Sequence, residues 1–534
     1  MADSAQLTDP LHRVSGPTIA WTRVNIAEGI PGVSTPLNWS HWDEANEKMI
    51  RQSYFDMGIL STTAAPPPAD VDHRTSSIFY GRVALNVDLS RQWADLQPGT
   101  SGDALEEHYF GSVRDGVKSH KSRRRYPVVF VKTPILFART PRWLRRVYAD
   151  NQQFWTRSLA EAPGADAATA RARFVEARER FHAMARPHTN VALLCGPLFL
   201  QLGKVLGSVD RAHLMLTLFG GHESIEIETT ADLWAVSRGR TTMAGFLGRR
   251  GFQGPAQGEI SSHSWRDDPT PVERLVATFR EMADDADPRI AERSRVEERE
   301  AAEREVIAAL PRQRRPNARL LLRATHVYVP LREIGKASLM QMLDVARAYA
   351  RVLGTDLARR GLLQDPEDVF YLTVAELTAP ELPANANELV AFRRARRDEY
   401  LTIDLPESWV GMVEPRTVDS NDLDEPISGL GASPGVVEGA VRVLVDPSAG
   451  DLEPGEILVC ETTDPSYASY FLVAGGCVID IGGALSHGAI VAREVGIPCV
   501  INTRAGTRKL RTGDYIRIDG TAGTVEILRR AEAS

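Results

Sequence analysis

Hydrophobic positions follow two regimes along the 534 residues. Over 141–218 and 270–361 apolar residues recur at helical spacing, as in AATARARFVEARERFHAMAR (167–186) and LREIGKASLMQMLDVARAYARVLGTDLARRG (331–361). IAERSRVEEREAAEREVIAAL (290–310) is charge-rich and predicts a solvated helix laced with i,i+4 pairs. From Leu430 the pattern shortens to strand-like runs: VVEGAVRVLV, EILVCE, GCVIDI, PCVIN, YIRIDG and GTVEIL. One helical segment, HGAIVAREVG (487–496), lies among them. Upstream, Trp21–Trp42 is too broken by Pro and Gly for one helix, and SIFYGRVALNV (77–87) predicts a strand or extended segment. Residues 404–428 are acidic, Pro-bearing and aperiodic. The expectation is a multidomain α+β protein with three parts. A large, mainly helical domain spans 1–405, a hinge or linker 406–429, and a compact α/β domain 430–534.

Composition narrows the function. Lys and Arg number 63 against 70 Asp and Glu, a net charge of −7, which argues against a general nucleic-acid binder. No run of consecutive apolar residues is long enough to span a bilayer, and the N-terminus lacks a basic-then-apolar leader, so a cytoplasmic protein is expected. Cys195, Cys460, Cys477 and Cys499 form no C-x-x-C pair and are read as small buried thiols, with no metal site. The basic run Lys118–Arg125 is read as a solvated loop, with a phosphate, a nucleic acid or an acidic partner face as alternatives. P-loop, dinucleotide, H-E-x-x-H and G-x-S-x-G patterns are absent or out of step.

The most specific signal is Gly482-Gly483-Ala484-Leu485-Ser486-His487-Gly488, followed by Ala489–Glu494. An apolar strand ends in two glycines, and a helix begins near His487. Exposed N–H groups and the dipole at a helix N-terminus favour an anion, such as a phosphoryl group on the imidazole. Ser486 would cap the helix or hydrogen-bond that phosphate, and Gly488 would contribute a backbone N–H. Neutral imidazole is a competent nucleophile near pH 7. On these residues alone, a helix-capping histidine in an ordinary turn is an equal alternative.

The C-terminal region resembles the swivelling phosphohistidine domain of the phosphoenolpyruvate synthase, pyruvate phosphate dikinase and rifampicin phosphotransferase superfamily. Gly431-Ala432-Ser433-Pro434-Gly435 with Gly439, Thr463-Asp464-Pro465, the Gly482–Glu494 block, Gly496-Ile497-Pro498, Gly513-Asp514 and Asp519-Gly520 carry it. Upstream, Pro31-Gly32 with Thr35-Pro36-Leu37, Tyr80-Gly81-Arg82 with Asn86, Leu331-Arg332-Glu333 with Lys336, and Glu367–Leu372 resemble the acceptor-binding domain of the rifampicin phosphotransferase branch. Gly251-Phe252-Gln253-Gly254 departs from the Gly-His-Arg-Gly common there, which would suit a different, apolar acceptor.

The resemblance implies that His487 carries a phosphoryl group loaded from ATP and Mg with release of AMP and phosphate. Arg332 and Lys336, four apart on a predicted helix, would clamp that group; a solvated ion-pair face with Glu333 and Asp344 is the plain alternative. Arg82, Phe252 and Glu259 are weaker candidates for the acceptor pocket. The superfamily's ATP-grasp station is not recognised here, so a separate ATP-grasp subunit is expected, as in the two-component phenol and 4-alkylphenol phosphorylating enzymes. A phenolic acceptor is the first expectation. An antibiotic or natural-product hydroxyl, or a non-catalytic phosphocarrier, are the alternatives.

Overall fold

The computed structural model describes residues 7–531, apart from 25, 63–66, 111–112, 223, 416–425, 445–451, 464–466 and 484–485. Its principal helices are α1 (Pro36–Asp56), α2 (Tyr126–Glu161), α3 (Ala167–Gly207), α4 (Ile225–Ser237), α5 (Met243–Arg250), α6 (Thr270–Glu281), α7 (Pro288–Ala309), α8 (Arg315–Arg359), α9 (Ala386–Leu401) and α10 (His487–Val495). The strands are β1 (Ala20–Thr22), β2 (Ser76–Phe79), β3 (Arg82–Asn86), β4 (Ser408–Val410), β5 (Ile427–Ser428), β6 (Leu430–Ser433), β7 (Val436–Val443), β8 (Ile457–Cys460), β9 (Gly476–Ile479), β10 (Cys499–Ile501), β11 (Tyr515–Asp519) and β12 (Thr524–Arg529). The α+β class expected from the pattern is what the chain adopts. Helix ends follow local chemistry. The Thr35 side chain accepts from Asn38 N–H ahead of Pro36, Asp287 caps α7 ahead of Pro288, and Gly361 (φ +74°) follows α8 in a conformation costly for other residues.

The chain forms two compact units: residues 1–193, 258–261 and 335–417, and residues 194–257, 262–334 and 418–534. Helices α3 and α8 each contribute to both.

The first unit is helical around a small antiparallel sheet of order β2-β3-β1-β4. SIFYGRVALNV is a hairpin rather than one strand. Tyr80 (φ +45°) and Gly81 (φ +74°) make its two-residue turn, the geometry that matches strand twist. Within the 406–429 stretch, Ser408–Val410 joins this sheet, with Trp409 opposite Trp21. Trp21, Phe79, Ala84, Leu405 and Trp409 form its core, with Phe79 5.0 Å from the Trp21 ring and 5.4 Å from Trp409.

The second unit holds an eight-stranded sheet of order β5-β12-β11-β7-β8-β9-β10-β6, parallel from β7 to β10 and antiparallel elsewhere. Central strands are buried on both faces, which is why they read as continuous apolar runs. Ile457, Val459, Val478 and Val500 point to one core with Ile516, Ile518 and Val525. Leu458, Cys460, Cys477, Ile479, Cys499 and Ile501 point to the other, shared with Leu233, Trp234, Phe246, Trp265 and Phe279 from α4–α6. Glycine is required where backbones meet: a Cβ on Gly520 would strike the Ser433 carbonyl oxygen. All four cysteines are free and buried. Burial pushes the Cys499 thiol up to about 12 and Cys477 upward as well.

Helix α3 contains an 18-residue window of mean hydropathy 1.4, long and apolar enough to cross a membrane by length and composition, with 33% of it buried. A search for uninterrupted apolar residues overlooks it, because Asn, Gly, Pro and Gln break the run without adding charge.

Candidate functional site

β9 delivers the chain to the centre of the second unit's sheet. Just past it, the buried Asp480 carboxylate fixes the strand end. It accepts from Thr503 Oγ1 (2.6 Å), from the backbone N–H of Gly506 and Thr507 (3.0 Å for the latter), and from Thr507 Oγ1. Four donors compensate its burial. In the sequence Asp480 shows only as an acid inside the apolar run CVIDI, with nothing local to mark its partners.

Gly482 and Gly483 follow, then Ser486 in extended conformation (φ −66°, ψ 160°) as the cap of α10. The Ser486 hydroxyl accepts from Ala489 N–H at 3.3 Å. His487 is the first helical residue, so its main chain stands where expected, at the helix N-terminus. The His487 imidazole, Ala484 and Leu485 lie outside the described residues. Gly488 is buried, and a Cβ there would overlap Ile479 Cδ1 and come within 2.7 Å of Thr463 Oγ1. Its lack of a side chain lets the first turn seat on the end of β9. The helix closes at Gly496, φ +82°.

Arg332 and Lys336 are both half-buried and one turn apart on α8. The unit boundary runs between them. Arg332 lies near Cys195, whose thiol burial raises to about 11 against the opposing Arg332 charge. Gly335, beside Lys336, leaves room for His188: a Cβ would stand 2.5 Å from its Nδ1. Asp344 is engaged elsewhere, accepting from Trp155 Nε1 at 2.9 Å and from Arg347. Among the described residues, neither Arg332 nor Lys336 makes an ion pair.

The three weaker acceptor candidates sit in separate settings. Arg82 donates to the carbonyls of Tyr400 (3.0 Å) and Tyr80 (3.3 Å). Glu259 is buried and accepts from Thr35 N–H (3.1 Å), Thr35 Oγ1 (2.6 Å), Ser261 N–H (3.1 Å) and Ser261 Oγ (3.0 Å). It thereby braces the N-terminus of α1. Both belong to the first unit, whereas Phe252 is buried in the second. There, Arg266 N–H bonds the Gly251 carbonyl and Trp265 N–H the Gln253 carbonyl, pinning the Gly251–Gly254 turn.

Among the described residues, no cluster of three or more His, Cys, Asp or Glu is placed to hold a metal ion.

The site is thus a capped βα turn that places a histidine at the first helical position, past the end of a buried parallel strand. The family "PEP-utilising enzyme, mobile domain" matches residues 452–523, and "rifampicin phosphotransferase fourth domain" matches 203–333. Over these two stretches the chain is similar to the PEP-utilising enzyme superfamily. An uncharacterised protein of Mycobacterium tuberculosis is 34% identical over 284 residues, 53% of this chain and 30% of that protein. A rifampicin phosphotransferase of Streptomyces sviceus is 29% identical over 343 residues, 60% of this chain and 38% of that enzyme. The prodigiosin-synthesising transferase PigC of Serratia marcescens is 30% identical over 344 residues, 61% of this chain and 38% of that enzyme. The chain thus spans roughly a third of the length of these relatives.

Proposed function

We propose that this chain is the carrier and acceptor component of a dikinase-type phosphotransferase. A separate ATP-grasp polypeptide transfers the β-phosphoryl group of ATP to a nitrogen of His487. Water takes the γ-phosphate, and AMP leaves. The acceptor hydroxyl oxygen then attacks phosphorus, the N–P bond breaks with its electron pair returning to the His487 imidazole, and the hydroxyl proton is released to solvent. Splitting the transfer through a covalent intermediate gives two accessible displacements. Backbone N–H groups at the start of α10, with Ser486 and Gly488, would steady the phosphoryl oxygens. Arg332 and Lys336 would neutralise the charge during the second displacement. The observation that carries this reading is the Ser486-capped helix beginning at His487, within residues that match the mobile-domain family.

In this reading residues 430–534 part from Leu233, Trp234, Phe246, Trp265 and Phe279 to move between stations, and 406–429 supplies the hinge; of that stretch, 416–425 lie outside the described residues. The acceptor is a small hydroxylated molecule, either a phenol or alkylphenol or a natural-product hydroxyl. Two relatives named for rifampicin and prodigiosin favour the second, and Phe252 in place of a polar residue suits an apolar acceptor of either kind. Arg82 and Glu259 would shape its pocket.

The test supplies β-labelled ATP, magnesium and a dikinase-family ATP-grasp polypeptide to the purified chain. Acid-labile label on wild type and none on His487→Ala is expected. A chase with phenols and with hydroxylated macrocycles then reports the acceptor. Label on both proteins, or phosphorylated acceptor formed by His487→Ala, overturns the mechanism. Stable label that no acceptor discharges leaves a phosphocarrier.

A further inference from the structure

The basic run at Lys118 has a larger context in the fold. Residues 116–149 contain ten Lys or Arg and no Asp, Glu, Asn or Gln, in a chain of net charge −7. Most of them form the first two-thirds of α2. The inner face of that helix is fixed to the first unit: Val129 and Leu144 are buried, Thr133 Oγ1 donates to the Met57 carbonyl at 3.2 Å, and Lys132 Nζ to the Phe55 carbonyl at 3.3 Å. Arg125 anchors the start by donating to the carbonyls of Gly58 (2.9 Å) and Leu60 (3.0 Å).

The opposite face is apolar and open. Phe130, Val131 and Ile135 are 63%, 62% and 52% exposed; Val131 and Ile135 lie one turn apart on one helical stripe, with Phe130 next to Val131 at its edge. The same stripe continues into exposed Arg139, Arg142 and Arg145, and exposed Lys121, Arg123 and Arg124 precede it. Among the described residues, none of these six cations makes an ion pair. The adjoining cavity of about 410 Å³ is mixed in charge, and its Arg91 is consumed by Asp103 and Glu106, so the strip and not the cavity stands out.

We propose that this face of α2 docks on an anionic lipid surface. Exposed aliphatic and aromatic groups between two sets of unpaired cations, on a helix already held to the protein by its other face, suit the headgroup boundary. Hydrocarbon receives Phe130, Val131 and Ile135, while lipid phosphates receive the flanking Arg and Lys. The occupant follows from what the strip lacks. It has no carboxylate or amide acceptor to offer a protein partner, so it matches a surface that supplies hydrocarbon and anionic oxygens only. A second copy of the same face would meet it with like charge. Phosphodiester backbones alone would leave the aliphatic groups unburied. The inference does not depend on phosphotransfer.

The test is flotation of the full chain with vesicles of phosphatidylcholine alone or with about one-third phosphatidylglycerol. Wild type is expected to float with the anionic vesicles only, and less at high salt. The Lys121→Gln/Arg123→Gln/Arg124→Gln variant is expected to lose about a hundredfold in partitioning. Phe130→Ser/Ile135→Ser is expected to lose about tenfold or more. Both variants change exposed groups, and an unaltered unfolding midpoint confirms the fold. Absent flotation, equal flotation on neutral vesicles, or wild-type behaviour of both variants overturns the proposal. So does binding to poly-glutamate or duplex DNA, without vesicle binding, that ignores Phe130→Ser/Ile135→Ser.

Discussion

The Ser486 hydroxyl accepts the Ala489 backbone N–H at 3.3 Å, so the turn that presents His487 is closed by its immediate neighbour. That bond satisfies one of the four unpaired N–H groups of the helix start and leaves others for an anion. Ser486→Ala is expected to cost about 1 kcal/mol of stability and to slow loading of His487. Thermal unfolding and the rate of acid-labile labelling measure the two effects. Ser486→Asp would keep the cap but set a negative charge beside an incoming phosphoryl group, so its stability should hold while labelling falls below that of Ser486→Ala.

Gly488→Ala tests how tightly the same turn is seated. The added methyl meets Ile479 Cδ1 and Thr463 Oγ1, neither of which lies at the end of a long flexible chain. Overpacking of this kind costs about 1–3 kcal/mol. Gly483→Ala, two residues past Ile481 and with nothing within 4 Å of its Cβ, is the matched control and should be near neutral. Equal destabilisation by the two variants would mean that α10 does not seat on the end of β9.

How much of this was legible in the sequence differs between the two halves of the chain. Every short apolar run after Leu430 became a strand: β8, β9 and β10, parallel and fully buried, read as continuous Val, Ile, Leu and Cys, whereas β11 and β12, antiparallel and half-exposed, alternate. HGAIVAREVG became α10, with its stop at Gly496. Alternation within those runs carried further information: even at four residues, Ile457 and Val459 serve one core and Leu458 and Cys460 the other. What completes the second core was invisible, since the contacts of Trp234 and Phe279 with this sheet join residues about two hundred positions apart. The pairing of Trp21 with Trp409 was hidden for the same reason, inside a segment that has no periodicity of its own. At the site, the Ser486 cap was readable from local chemistry; the close seating of Gly488 against Ile479 and Thr463 was not. Asp480 was not, because its four donors come from a loop that the sequence places more than twenty residues later.

Glu259 separates a bracing role from a binding one. Its carboxylate accepts from the N–H and hydroxyl of both Thr35 and Ser261 while buried. Glu259→Gln turns an NH₂ toward some of those donors, and leaving buried donors unmet costs about 1–3 kcal/mol. Lower unfolding temperature with an unchanged KM for the acceptor marks the brace at the start of α1. A raised KM with unchanged unfolding temperature marks direct acceptor contact.

Stability should fall in mild acid through His222. Burial lowers its pKa to about 4, helped by Arg299 and by His326, whose ring lies 5.3 Å away. Its Nε2 faces the Leu218 carbonyl, and Glu303 bonds His326 at 2.6 Å rather than His222. The unfolded imidazole takes up a proton near 6.5, while the folded one stays neutral down to about 4. The unfolded state therefore binds more protons across that window, and stability drops as pH falls from 6.5 toward 4. One pH unit below 6.5 the loss is about 1 kcal/mol from this group. His222→Gln, which keeps a polar side chain but cannot titrate, is expected to lessen the fall of the unfolding midpoint between pH 7 and 5. A wild-type slope in that variant would assign the acid sensitivity to His41 or His182, whose pKa values burial also lowers.

In the proposed mechanism Arg332 and Lys336 act in the second displacement, and their effect is separable from that of His487. The two cations stand one turn apart on α8, half-buried and with no ion pair among the described residues. Removing one donor or charge at a transferring group typically costs about 10²–10³ in rate. Arg332→Gln and Lys336→Gln should therefore leave His487 chargeable in the presence of the ATP-grasp polypeptide, and the label should persist when acceptor is added. Arg332→Lys, which keeps charge but loses the planar fork, should recover part of the discharge rate if phosphate geometry matters. Cys195 supplies an internal check on Arg332→Gln. Arg332 opposes the upward shift of the Cys195 thiol, so its loss should make that thiol still less reactive. Prompt discharge of label in both variants would remove the two cations from the transfer step.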